Sequence, residues 1–130
     1  MKNLILSSVI LPFLVGCSSG SGTRAGSGRD PLLTEEIVAS GAPTAYEAVQ
    51  LRRPIWLSSR GMKSFSTRGS TYPVVYMNGM KYGDLEALRN IPAETIAEIR
   101  YITAEDATIQ FGTGHPAGVI MVTTRTGGNK

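Results

Sequence analysis

The sequence predicts an α+β fold in which short helices pack on a small mixed β-sheet. Residues 73–77 and 119–124 are apolar at consecutive positions and rich in β-branched side chains, as in strands buried on both faces. Short helical patterns, separated by Gly, Pro and Asn, occupy much of the remaining chain. The chain has 130 residues, 42% of them hydrophobic, which suits one domain with a modest core.

The first seventeen residues have the layout of a bacterial lipoprotein signal. Lys2 gives a positive start, and residues 4–15 form an apolar stretch that is too short to span a membrane. Residues 14–17, Leu-Val-Gly-Cys, resemble the lipobox, which implies cleavage after residue 16 and acylation of Cys17 with palmitate-type chains. The alternative is an ordinary signal peptide that happens to end near a cysteine. Ser18 favours the outer membrane, by analogy with the enterobacterial sorting rule.

The mature chain is predicted to have a tether and one folded part. Residues 18–30 are mostly Ser and Gly and have no apolar face, so we expect a flexible linker with a span of roughly 20 Å. Residues 31–130 are predicted to form the domain. Cys17 is the only cysteine, so no disulfide can form within the chain.

Local signals define the first predicted elements of the domain. Thr44 and Glu47 have the spacing of a capping box and open a helix that Pro54 ends. Residues 55–57 are predicted to be extended. Residues 58–71 are rich in Ser, Gly and Arg and are predicted to form a long exposed loop.

A hairpin follows, because Asn78-Gly79 after an apolar strand is a strong turn signal. Residues 80–82 are predicted to return beside that strand. A half-exposed strand is expected where Ile99 and Tyr101 alternate with charged residues. Three short helical segments are also predicted, begun or ended by Asp84, Pro92 and Gly112. Residues 119–124 are predicted to be the central strand.

The sequence has no recognisable catalytic or metal-binding motif. C-x-x-C, H-E-x-x-H, G-x-S-x-G and G-x-x-x-x-G-K are all absent. His115 is the only histidine, so one chain cannot supply a histidine metal cluster. The residue types for a Ser–His–Asp triad are present, with His115, Asp106 and any of several serines, but no motif indicates that they lie together. We therefore predict a protein that is not an enzyme and needs no cofactor or metal. The formal net charge is +3, and the basic residues are scattered along the chain without forming a run. This pattern does not predict nucleic-acid binding.

Three segments in order carry a resemblance to a known family. They are Val-Val-Tyr-Met-Asn-Gly-Met (74–80), Ile-Pro-Ala-Glu-Thr-Ile-Ala-Glu-Ile-Arg-Tyr (91–101), and residues 106–124, ending in Gly-Val-Ile-Met-Val-Thr-Thr. This pattern resembles the plug domain of TonB-dependent outer-membrane receptors. The resemblance implies a plug-like fold at the outer membrane. Residues 34–40 are faintly similar to a TonB-binding box, but a first helix or strand is the favoured interpretation. A receptor plug sits inside a barrel, and none is recognisable in these 130 residues, so we do not expect transport.

These observations favour a non-catalytic, lipid-anchored module that docks an envelope protein at the periplasmic face of the outer membrane. The candidate partners include a TonB-dependent receptor. The alternative is a lipoprotein that binds a small molecule or glycan, and the sequence leaves the oligomeric state open. Two loops form the candidate surface: residues 58–71, with Arg60, Lys63, Phe65 and Arg68, and residues 112–118 around His115. For His115, the plainer interpretation is an ordinary loop histidine.

Overall fold

The computed structural model describes residues 28–59 and 71–126. The strands are β1 (Leu32–Leu33), β2 (Val74–Met77), β3 (Met80–Gly83), β4 (Ile96–Ile102) and β5 (Val119–Thr124). The α-helices are α1 (Thr34–Ser40), α2 (Ala45–Arg52) and α3 (Ala104–Phe111). Short 3₁₀ helices span Pro54–Leu57, Leu85–Asn90 and Ala93–Thr95. None of the helices in the described ranges is long and apolar enough to cross a membrane.

The strands form one mixed sheet in the order β1-β4-β5-β2-β3. β2 and β5 pair in parallel, and the other neighbouring strands are antiparallel. β5 therefore lies at the centre, as the apolar run at residues 119–124 predicts. The predicted α+β class, a small mixed sheet with short helices, is confirmed.

The sheet separates two packed layers. Val75, Ile99 and Val122 face a core cluster that also contains side chains of α1, α2 and the 3₁₀ helices. Val74, Tyr76 and Val119 face a smaller cluster completed by Ala107 of α3. Successive residues of a strand point alternately into these two clusters. A strand that is apolar at every position therefore contributes side chains to both clusters.

The predicted hairpin joins β2 to β3. Asn78 and Gly79 have φ values of 51° and 84°, the left-handed pair that a two-residue turn of this kind requires. The Asn78 side chain also reaches Thr124: its Oδ1 accepts from the Thr124 N–H at 3.0 Å, and its Nδ2 donates to the Thr124 hydroxyl at 3.0 Å. The turn is thereby joined to the end of β5.

The predicted helix that begins after Thr44 is α2. Ala45, Ala48 and Val49 are buried on its inner side. The two capping-box residues do contact each other, but the Thr44 hydroxyl donates to the Glu47 carboxylate and does not accept from a backbone N–H. The expected pairing of the residues is present with a different hydrogen bond.

Residues 55–57 are not extended, contrary to the prediction. Pro54 is the first residue of a 3₁₀ helix, where its fixed φ is suitable, and only the preceding Arg53 leaves the helical region, with φ −140° and ψ 55°. The Trp56 N–H donates to the Arg53 carbonyl at 2.9 Å. This turn places the Trp56 indole in the core, where it is fully buried.

Residues 28–30, which the sequence assigns to the linker, are among those that the structure describes. The Trp56 indole N–H donates to the carbonyl oxygen of Gly28 at 2.6 Å. Residues 34–40 form α1, in agreement with the favoured interpretation of a first helix.

Candidate docking surface

Most of the residues that the sequence singles out lie outside the described ranges. These are Cys17, the predicted lipidation site, and the loop residues Arg60, Lys63, Phe65 and Arg68. The structure thus describes His115 alone among the predicted site residues. The docking surface has to be built from residues that flank the predicted loop.

His115, which the sequence places in the candidate surface, is buried. The residue is 8% exposed. Its Nδ1 lies 3.1 Å from the Gly112 carbonyl oxygen, and its Nε2 lies 3.1 Å from the Tyr76 hydroxyl. Because a carbonyl oxygen only accepts, Nδ1 carries the hydrogen of the bond to Gly112, while Nε2 and the Tyr76 hydroxyl form the second hydrogen bond. The imidazole therefore links the loop that precedes β5 with strand β2. The Phe111 ring lies beside it.

The described residues do not form a Ser–His–Asp triad. Asp106 lies at the start of α3, where its carboxylate accepts from the Thr103 hydroxyl at 2.9 Å and its N–H donates back to that oxygen at 3.2 Å. Both ring nitrogens of His115 are occupied by Tyr76 and Gly112. Nor do residues 28–59 and 71–126 contain three or more His, Cys, Asp or Glu side chains grouped to hold a metal ion.

A cleft of about 550 Å³ opens in the layer that contains α2. Four separate stretches of chain contribute its walls, which consist of Tyr46, Leu57, Tyr72, Asp84, Leu85 and Glu86. Leu57 and Tyr72 lie just before and just after the predicted loop of residues 58–71. The cleft, which we call the α2 cleft, therefore adjoins both ends of the segment that the sequence selects for docking.

The walls of the α2 cleft combine aromatic rings with carboxylates. Arg89 lies over the Tyr46 ring, 3.6 Å from its centroid, and its Nε donates to Glu86 at 2.6 Å. This hydrogen bond raises the pKa of the Arg89 guanidinium above its already high value, so its charge is permanent. Arg89 thus contacts both Tyr46 and Glu86 in one wall, and Asp84 adds a second carboxylate to the cleft.

Exposed apolar side chains continue along the chain that leads into the α2 cleft. Met80 and Tyr82 belong to β3, the edge strand that precedes Asp84, and Tyr72 precedes β2. Tyrosine and methionine are enriched in protein interfaces relative to other surface residues. The edge itself suits side-chain contacts better than strand addition, because β3 is short, carries Lys81 and faces a bulge in its pairing with β2.

A second cleft, of about 350 Å³, lies on the opposite side of the sheet beside α3. Its charged residues already bind within the protein. Arg100 donates to Glu98 at 2.7 and 2.9 Å, and Asp106 is engaged with Thr103. This cleft offers a partner fewer uncommitted charges than the α2 cleft does.

Comparison of the chain with protein-family models, curated proteins and solved structures finds no match. Sequence reasoning missed the α2 cleft because its wall residues come from separate stretches, and no motif links them. The Ser-rich, Gly-rich and Arg-rich segment between Leu57 and Tyr72 is the one local signal that pointed to this region.

Proposed function

We propose that this protein is a lipid-anchored, plug-like and non-catalytic module that docks an envelope protein at the periplasmic face of the outer membrane. A TonB-dependent receptor is one candidate partner. The observation that carries the proposal is the α2 cleft, whose walls include both residues that flank the predicted docking loop, Leu57 and Tyr72. The α2 cleft is thus a concave surface directly beside the loop that the sequence predicts for docking.

The chemistry of the α2 cleft favours a particular kind of partner segment. Its apolar and aromatic walls suit a side chain of Leu, Met or aromatic type, and Asp84 in the lining suits an adjacent Lys or Arg. Anchoring on the same membrane raises the effective concentration of the two proteins, so a weak contact is sufficient. A short apolar and basic segment of an envelope protein meets these requirements.

Photo-crosslinking in cells tests this surface. A benzophenone amino acid replaces Tyr72 at the α2 cleft, and the control replaces Ile109, which is 83% exposed on α3 across the sheet. We expect a discrete protein adduct from position 72 and none from position 109. The alanine variant of Arg60, Lys63, Phe65 and Arg68 should weaken that adduct while leaving the fold intact. Adducts of equal yield from both positions would contradict docking at this cleft.

Binding of a small molecule or glycan is the second candidate, and the same cleft favours it. Its volume is within the range of roughly 300–1,000 Å³ that ligand pockets occupy. Tyrosine rings beside carboxylates suit cationic groups. A ligand that raises the melting temperature of the purified protein, together with no adduct at position 72, would favour this candidate over protein docking.

A further inference from the structure

The point at which the tether enters the domain is fixed by a buried contact. The Gly28 carbonyl accepts from the indole N–H of Trp56, and that indole is fully buried. Gly28 also lies against Ile55, whose Cγ2 would be 3.9 Å from a Cβ at position 28. The chain that leads back to Cys17 therefore leaves the folded part beside the 3₁₀ helix Pro54–Leu57.

Ile55, which lies next to this exit, is 52% exposed. Leu51, four residues earlier in the sequence and in the last turn of α2, is 63% exposed. Arg29, next to Gly28, is exposed, and Arg52, at the end of α2, is partly exposed. Apolar side chains with nearby cations suit the boundary between lipid headgroups and acyl chains.

The length of the tether determines which side of the domain is near the bilayer. Residues 18–27 separate Cys17 from Gly28, and ten residues of Gly-rich composition have an expected span of about 17 Å. A folded domain of this size has a diameter of about 34 Å. The side that carries Gly28 is thus held closer to the membrane than the α3 side, which lies across the sheet.

We infer that Leu51, Ile55 and Arg29, here called the tether face, lie against the lipid headgroups of the membrane in which Cys17 is anchored. This inference rests on the proposed lipid anchoring and adds an orientation to it. The α2 cleft belongs to the same side of the sheet as the tether face. A docked partner segment is consequently held close to the membrane surface, while α3 points toward the periplasm.

A fluorescence measurement on the mature lipidated protein tests this orientation. Because Cys17 is the only cysteine and is blocked by acylation, Ile55→Cys introduces one reactive thiol for a nitrobenzoxadiazole label. Ile109→Cys is the matched control, an exposed isoleucine on α3. Leu51→Cys gives a second position on the tether face. Each protein is placed in phosphatidylethanolamine–phosphatidylglycerol vesicles with and without a nitroxide on the lipid headgroups.

We expect the nitroxide to quench the labels at positions 55 and 51 several-fold more than the label at position 109. Equal quenching at all three positions, with the protein floating with the vesicles, would overturn the orientation and leave the anchoring intact. Failure of the protein to float with the vesicles would overturn the anchoring and the inference together. Fluorescence of Trp56, the only tryptophan, verifies that each labelled variant is folded.

Discussion

Among the glycines that the structure describes, Gly118 has the closest atoms around its Cβ position. Its φ of +83° lies in the region that favours glycine. A Cβ at this position would stand 2.5 Å from the Ile102 carbonyl oxygen and 2.6 Å from the Tyr101 hydroxyl. That hydroxyl donates to the Ala117 carbonyl at 2.7 Å, so it cannot move without losing a buried hydrogen bond. The close approach of β4 to the start of β5 requires glycine here.

Substitution of Gly118 by alanine should therefore cost more than backbone strain alone. Gly41 is the control, because it also has a left-handed φ, +67°, but no atom lies within 4 Å of its Cβ position. We expect Gly41→Ala to lower the free energy of unfolding by about 1 kcal/mol and Gly118→Ala by at least about 3 kcal/mol. Urea unfolding followed by Trp56 fluorescence measures both. Equal losses would show that the contact with β4 is not limiting.

His115 shows which residue properties the sequence could not reveal. Its position in a glycine-rich loop was evident, and exposure was the natural expectation for such a loop. The burial follows from Tyr76, which lies 39 positions away and becomes a neighbour through the parallel pairing of β2 with β5. A contact of that separation depends on strand order, which local patterns do not specify.

At the scale of elements, the sequence was sufficient to predict those helices, strands and turns whose conformation depends on nearby residues. The Asn78-Gly79 turn, the strands that it joins, the α2 helix and the central β5 all agree with prediction. β1 and the 3₁₀ helix Pro54–Leu57 could not be predicted in the same way. β1 exists because Leu32 and Leu33 pair with β4, and the 3₁₀ helix buries Trp56, so both depend on distant residues.

The central position of β5 leads to a quantitative prediction. Ile120 is fully buried between β4 and β2, so Ile120→Ala should lower the free energy of unfolding by about 2–5 kcal/mol. The control is Lys81→Ala on the edge strand β3, where the side chain is exposed and the change should stay below about 0.5 kcal/mol. Urea titrations of both variants provide the comparison. Similar losses at the two positions would be incompatible with a buried β5 and an exposed β3.

For the whole molecule, the arrangement of layers puts the first described residue, Gly28, and the candidate site on one side of the sheet. Gly28, Trp56 and the α2 cleft belong to one side of the sheet, and α3 covers the other. The fold class could be predicted because it needs only the pattern of each element. The cleft could not, because Tyr46, Tyr72 and Asp84 meet only after the sheet and its covering helices are assembled.

The proposed anchoring of the whole molecule requires Cys17, so substitution of this residue tests anchoring separately from folding. We expect the mature wild-type protein to begin at an acylated Cys17, and Cys17→Ser to abolish lipid labelling and membrane association. The fold should be unchanged, because the first described contact of the chain, from Gly28 to Trp56, lies eleven residues after the cysteine. Ser21→Ala, in the linker beyond the lipobox, is the control and should leave processing intact. Intact-mass analysis and membrane fractionation provide the readout. An unacylated cysteine or a retained leader in the wild-type protein would refute lipid anchoring, because several acyl chains are what hold a lipoprotein stably in a bilayer.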